Sequence, residues 1–166
     1  YYLVDPSIAA ESIQVDSNMK LVRDYYPNKI TSKETFDLIL GFNVLEHVQD
    51  PLEFLNGISK NLSLDGLAIL TFPDCDQSLT IADMNLFLHE HITYFTMSSF
   101  ISMIATLDLN IIELTSTHDD FTVTLSKNQY SGRNVLADAR QYKLSEIKHD
   151  LESVLALMDE KVSFVL

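Results

Sequence analysis

Two almost uninterrupted apolar runs, 36–42 (FDLILGF) and 67–72 (LAILTF), flank a helix-start signal, and this constrains the fold more than any other feature. A strand open to water on one side alternates apolar and polar residues. A run that is apolar nearly throughout indicates a parallel strand covered on both faces. Between the runs, Asp50 can accept the free N–H groups of a helix start, and Pro51 suits the first helical position. Leu52, Phe54, Leu55, Ile58 and Leu62 then recur at helical spacing. Asp65-Gly66 turns the chain into the second run, which Pro73 stops. The pattern predicts two adjacent parallel strands, with a helix over 50–62 crossing right-handedly between them.

The remaining segments extend this unit. Residues 1–4 form a short apolar run, expected to be a buried strand, closing in the turn Asp5-Pro6-Ser7, and Ser7 can cap a short helix to about residue 12. A second short strand is expected at 20–23. A polar loop covers 74–96, and a helix starting at Ser98 or Ser99 runs to Leu107, carrying Phe100, Ile101, Met103 and Ile104. Strands at 109–114 and 121–125, joined by a short polar stretch, suit an antiparallel pair. The expected fold class is α/β, a mostly parallel sheet ending in an antiparallel hairpin. After Gly132, the residues Leu144, Ile147, Leu151, Val154, Met158, Val162 and Val165 follow spacings of three and four. They predict a long amphipathic C-terminal helix from about Leu136, packed on the domain or serving as a seam to a second copy or second domain. The expected division is a domain at 1–130 and a helical extension at 131–166.

Composition narrows the function. The 166 residues carry a formal net charge of −13, and the 11 Lys and Arg are scattered. Binding a phosphate backbone relies on clustered cations that displace counterions, so a nucleic-acid partner is disfavoured. A small-molecule substrate is expected. No apolar run approaches the ~18 residues of a membrane span, so no membrane partner is expected. Cys75 is the only cysteine, which rules out an internal disulfide, fits a cytoplasmic setting, and shows no activating context. The four glycines, Gly41, Gly57, Gly66 and Gly132, form no GxGxxG or GxxxxGK. The given residues therefore contain neither a dehydrogenase fingerprint nor a P-loop.

Phe36-Asp37-Leu38-Ile39, then Asn43-Val44-Leu45-Glu46-His47-Val48, Asp50-Pro51 and Phe54-Leu55, resembles class I S-adenosylmethionine-dependent methyltransferases at their fourth strand and following helix. Asp65-Gly66 leading into LAILTFP resembles the fifth strand, and YYLVDPS at 1–7 the end of the second. The resemblance implies a Rossmann-like fold with S-adenosylmethionine as cofactor. It also implies that the first strand and its glycine-rich loop are absent from these residues, leaving strand edges unpaired. Asp5 would accept hydrogen bonds from the cofactor's ribose hydroxyls, a task suited to a carboxylate; its alternative role is as a turn residue before Pro6. Gly41, Phe42, Asn43 and Val44 lie where strand ends meet the ligand crevice, and the resemblance implies that one or two of them line the cofactor's methionine end. Glu46 and His47 are expected to be architectural.

His89-Glu90-His91-Ile92-Thr93-Tyr94-Phe95 is similar to a segment of sugar C-methyltransferases, with Leu88 where that subfamily has tyrosine. The similarity implies that His91 is a general base and that Glu90 orients or polarises it. Imidazole suits the role because its ordinary pKa lies near working pH. The alternative is a loop brace, with the imidazoles bonded to carbonyls. A metal site is not expected, because His-x-His offers two ligands at most and the cysteine is distant. The function expected is methyl transfer to a small molecule such as a sugar. The alternative is a catalytically silent methyltransferase-like scaffold domain.

Overall fold

The computed structural model describes residues 1–7, 17–82, 90–117 and 120–128. The helix expected after Ser7, His89, and the C-terminal helix with its domain boundary lie outside the described residues. Among the described residues, six strands fall into two sheets. The smaller pairs β1 (Tyr2–Val4) with β2 (Lys20–Val22) in parallel. The larger has the order β3-β4-β6-β5, from Phe36–Phe42, Leu62–Pro73, Asp120–Ser126 and Asn110–Thr117. β3 and β4 are parallel, and β4–β6 and β6–β5 are antiparallel. The expected strand–helix–strand unit and terminal hairpin are therefore present, but the sheet they share is mixed rather than mostly parallel, with one parallel and two antiparallel pairings among the described residues.

Helix α1 (Pro51–Asn61) starts as its sequence dictates: Asp50 Oδ1 accepts the Glu53 N–H at 2.9 Å, and Pro51 occupies the first turn. Its buried face, Phe54, Leu55 and Ile58, packs on the inward row of β4: Leu62, Ala68, Leu70 and Phe72. Helix α3 (Met97–Ile104) brings Phe100, Ile101 and Ile104 to the same core. Its cap is Thr96, whose hydroxyl accepts the Ser99 N–H, so the helix begins earlier than expected. Phe72 is the hub, with ring centroids 5.2 Å from Phe95, 4.7 Å from Phe100 and 5.6 Å from Phe121.

Three further expectations need correction. Among the described residues, β3 is not covered on both faces. Both helices pack on one side, and on the other Leu38, Leu40 and Phe42 remain 54%, 54% and 59% exposed among the described residues. The first strand is not buried either, since Tyr1 and Tyr2 are exposed. Asp65-Gly66 is not a turn ahead of β4 but lies inside it. Phe36 pairs with Leu62 and Leu38 with Leu67, so the extra residues form an irregularity in the ladder. Gly66 is required there because a Cβ would stand 2.9 Å from the Phe36 carbonyl oxygen.

Polar ties fix the segment leading into β3. Asn61, 2% exposed, donates from Nδ2 to the carbonyls of Thr31 at 2.8 Å and Glu34 at 2.7 Å, and its Oδ1 accepts from the Tyr26 hydroxyl at 3.0 Å. Glu34 joins that segment to the small sheet. It accepts from the Thr31 N–H at 2.7 Å, the Tyr2 hydroxyl at 2.8 Å and Lys20 Nζ at 3.3 Å.

Replacing Asn61 with Ala leaves two buried carbonyls and a hydroxyl without their partner and is expected to cost about 2–4 kcal/mol in urea unfolding, against about 1 kcal/mol for Tyr26→Phe. Glu34 gives a pH signature. The Thr31 N–H, then the Tyr2 hydroxyl and Lys20, hold its carboxyl down at about 2, below the ordinary 4.5. A depressed folded-state value stabilises fully above about pH 4.5, and that contribution is lost as pH falls toward 2. Urea unfolding across that window should show a shallower pH dependence for Glu34→Gln than for the unmodified protein.

Candidate functional site

The carboxyl end of β3 builds the site. The strand stops because Asn43 turns into the left-handed region at φ 49°, a conformation that asparagine tolerates better than most residues. Its N–H donates to the Thr71 carbonyl at 2.9 Å, tying the end of β3 to β4. Gly41 sits where a Cβ would come within 2.9 Å of Leu70 Cδ2 and 3.3 Å of Val44 Cγ1, so the backbone fits closely over the core. Phe42 projects to the uncovered side, and Val44 leads into a single 3-10 turn, Leu45–His47. The four residues expected at the crevice thus form one continuous strand end.

That turn receives the loop at 90–95. The main-chain oxygen of Glu46 accepts the N–H groups of Ile92 at 2.8 Å and Thr93 at 3.1 Å. His47 Nδ1 lies 2.8 Å from the Glu90 carbonyl oxygen, so Nδ1 carries the proton and donates. The rings of His47 and His91 stand 5.0 Å apart edge to face, with Tyr94 6.2 Å beyond His91. Two segments separated by more than forty residues, each singled out in the sequence, are therefore brought together. His91 is half-buried beside the turn, whereas the Glu90 side chain is exposed.

Glu46 has a larger part than its sequence context indicated. It is 2% exposed, and its Oε2 is buried without a hydrogen-bond partner among the described residues. Oε1 lies 3.7 Å from His47 Nε2. Sequence reasoning missed this because a Glu next to a His in a turn carries no burial signal of its own. Also missed was the short helix α2 (Cys75–Thr80), which lies within the expected polar loop. Asp74 Oδ1 accepts the Asp76 N–H at its start, and Asp76 Oδ2 accepts the Met97 N–H at 2.7 Å. Burial raises the Asp76 pKa.

Asp5 follows β1 at its carboxyl end, where its N–H donates to the Val22 carbonyl at 3.1 Å. Its carboxylate accepts the Ser7 N–H at 2.8 Å, which lowers its pKa and keeps it ionised as an acceptor. This contact is the one expected of a turn residue, and the charged group at a parallel strand end is also the one that a ribose diol requires. A groove of about 390 Å³ lies elsewhere, between Pro27, Asn28, Glu53 and Lys60, away from these strand ends.

A family model described as a methyltransferase domain matches residues 1–114. The chain belongs to the methyltransferase domain family. C-methyltransferase NovU of Streptomyces niveus is 29% identical over 77 residues, a match covering 46% of this chain and 18% of that protein. The match therefore spans less than a fifth of this relative's length. The methyltransferase fold is shared with a putative S-adenosylmethionine dependent methyltransferase from Listeria monocytogenes at TM-score 0.58 and 10% identity, over 77% of this chain and 80% of that one. It is shared too with the plantazolicin methyltransferase BpumL, solved with a monoazolic desmethylPZN analog and SAH, at TM-score 0.59 and 12% identity, over 77% and 66% of the two chains. The class I S-adenosylmethionine-dependent methyltransferase expected from the sequence is thus borne out. No described helix is long and apolar enough to cross a membrane.

Cys75 stays outside this chemistry. It is free and 1% exposed, and burial pushes its thiol up to about 11 from 9.0. A rise of that size cuts the thiolate about a hundredfold at pH 8, so labelling by a thiol reagent should be at least ~100-fold slower in the native domain of this methyltransferase than in urea.

Proposed function

We propose that this domain transfers a methyl group from S-adenosylmethionine to a small-molecule acceptor, such as a sugar or another metabolite. The observation that carries the reading is the pinning of the His91 loop to the turn after β3, which sets an imidazole at the end of parallel strands. In open α/β sheets ligands occupy that crevice. The residues suit the donor: Asp5 offers an ionised acceptor for the ribose, while Gly41, Phe42, Asn43 and Val44 form a close-packed strand end for the methionine portion. S-adenosylmethionine, when bound, supplies an electrophilic methyl carbon.

His91 then takes the proton from an acceptor hydroxyl or from a carbon beside a carbonyl, and Glu90 orients it. The remaining rate enhancement comes from holding acceptor and methyl carbon in line. The likeness to the C-methyltransferase of Streptomyces niveus supports methyl transfer, and the monoazolic desmethylPZN analog solved with BpumL supports a small acceptor. The chain's charge of −13 further disfavours a nucleic-acid acceptor.

Calorimetry on the full-length protein should show S-adenosylmethionine binding, weakened roughly tenfold or more by Asp5→Ala, as expected for a lost charged hydrogen bond. His91→Asn should leave that affinity nearly unchanged while turnover falls roughly 10²–10⁴-fold and the acid limb of the pH–rate profile disappears. Absence of S-adenosylmethionine binding would instead establish a silent scaffold domain. Normal turnover with lowered thermal stability in His91→Asn would make the segment a loop brace.

A further inference from the structure

We propose that Glu46, His47 and His91 form a binding site for a divalent transition-metal ion of the zinc type. One carboxylate oxygen and one ring nitrogen from each histidine already lie within 4.8 Å of one another. Ligands about 2.0–2.2 Å from a shared zinc ion stand about 3.3 Å apart, so closure needs side-chain movements of about an ångström. The Glu46 Oε1–His47 Nε2 separation is 3.7 Å, nearly there already. His91 is half-buried, with its ring centroid 5.0 Å from that of His47.

Two independent observations point to a cation. The first is the Glu46 carboxylate, 2% exposed, with Oε2 buried and unpartnered among the described residues. An ionised carboxylate out of water is costly unless a cation or donors compensate it. The second is the His47 tautomer. Its Nδ1 donates to the Glu90 carbonyl at 2.8 Å, and its Nε2 lies 3.7 Å from Glu46 Oε1. A ring N–H held by a carbonyl while the other nitrogen faces outward is the usual arrangement around a metal-bound histidine. Two imidazoles and one carboxylate suit zinc better than calcium or magnesium, and leave a fourth position open.

This site was not visible in His89-Glu90-His91 itself, because two of the three donors come from the distant Glu46-His47 pair. It does not rest on the methyl-transfer reading. A metal ion and a proton compete for the same lone pair of His91, so occupancy holds that imidazole away from proton removal.

The test uses full-length protein stripped with a chelator and titrated with Zn²⁺ in a calorimeter, without donor or acceptor. Expected are one Zn²⁺ per chain, an affinity at least tenfold weaker in His47→Ala and in His91→Ala, and a Zn²⁺-induced rise in Tm that both variants lose. His47 is 38% exposed, but its variant also loses the hydrogen bond to the Glu90 carbonyl, so the Zn²⁺-induced rise is read against each variant's own Tm in chelator. With Co²⁺ as probe, tetrahedral visible absorption should appear and be lost in Glu46→Gln. The proposal is overturned by an absence of stoichiometric binding, or by binding of equal strength in both histidine variants. Failure on either count leaves the methyl-transfer reading intact, since that is tested by S-adenosylmethionine binding and turnover.

Discussion

The burial of one row of side chains on β4 is the constraint from which the rest of this domain follows. Leu62, Ala68, Leu70 and Phe72 are fully buried, and each lies under something the chain must supply. α1 covers the end toward Leu62, and α3 with Phe95 covers Phe72. β4 is also where the sheet changes character, parallel to β3 on one side and antiparallel to β6 on the other. The methyltransferase architecture thus hangs on one strand that tolerates little on its inward face. Losing the Phe72 ring would empty the centre of a four-ring cluster.

The parts of the fold legible in sequence are those fixed by local chemistry. Asp50 and Pro51 specify the start of α1 by themselves, and the run 67–72 could be little but a buried strand. The bulge at Asp65-Gly66 was read as a turn because the two use the same residues. What decides between them is the approach of the Phe36 carbonyl, a tertiary fact. The six-residue α2 is too short to show a helical period; Asp74 accepts the Asp76 N–H at its start, and Asp76 ties it to the Met97 N–H of α3. The missing cover over Leu38, Leu40 and Phe42 was equally unreadable, since an apolar run looks alike whether one face or two is packed.

The candidate site divides in the same way. His91 and the end of β3 were found from sequence because they lie in recognisable segments. Their meeting was not, because it depends on two backbone hydrogen bonds to one carbonyl oxygen, that of Glu46. The side chain of that residue was expected to be architectural only, since burial of a carboxylate is a property of the fold around it. The site therefore has a main-chain half that fixes geometry and a side-chain half that fixes charge, and both pass through Glu46.

The bare row Leu38, Leu40 and Phe42 also bears on how copies of this domain behave together. Among the described residues, three large apolar side chains on one face of β3 form an adhesive stripe, and β3 is an edge of its sheet, which adds hydrogen-bonding appetite. Against this stands the charge of −13, which makes neighbouring copies repel while the carboxylates are ionised. Colloidal behaviour is then a contest between a short-range attraction that ignores pH and a long-range repulsion that vanishes near the isoelectric point of about 4.5. Salt tips the contest the same way as acid, by shortening the reach of the repulsion without touching the stripe.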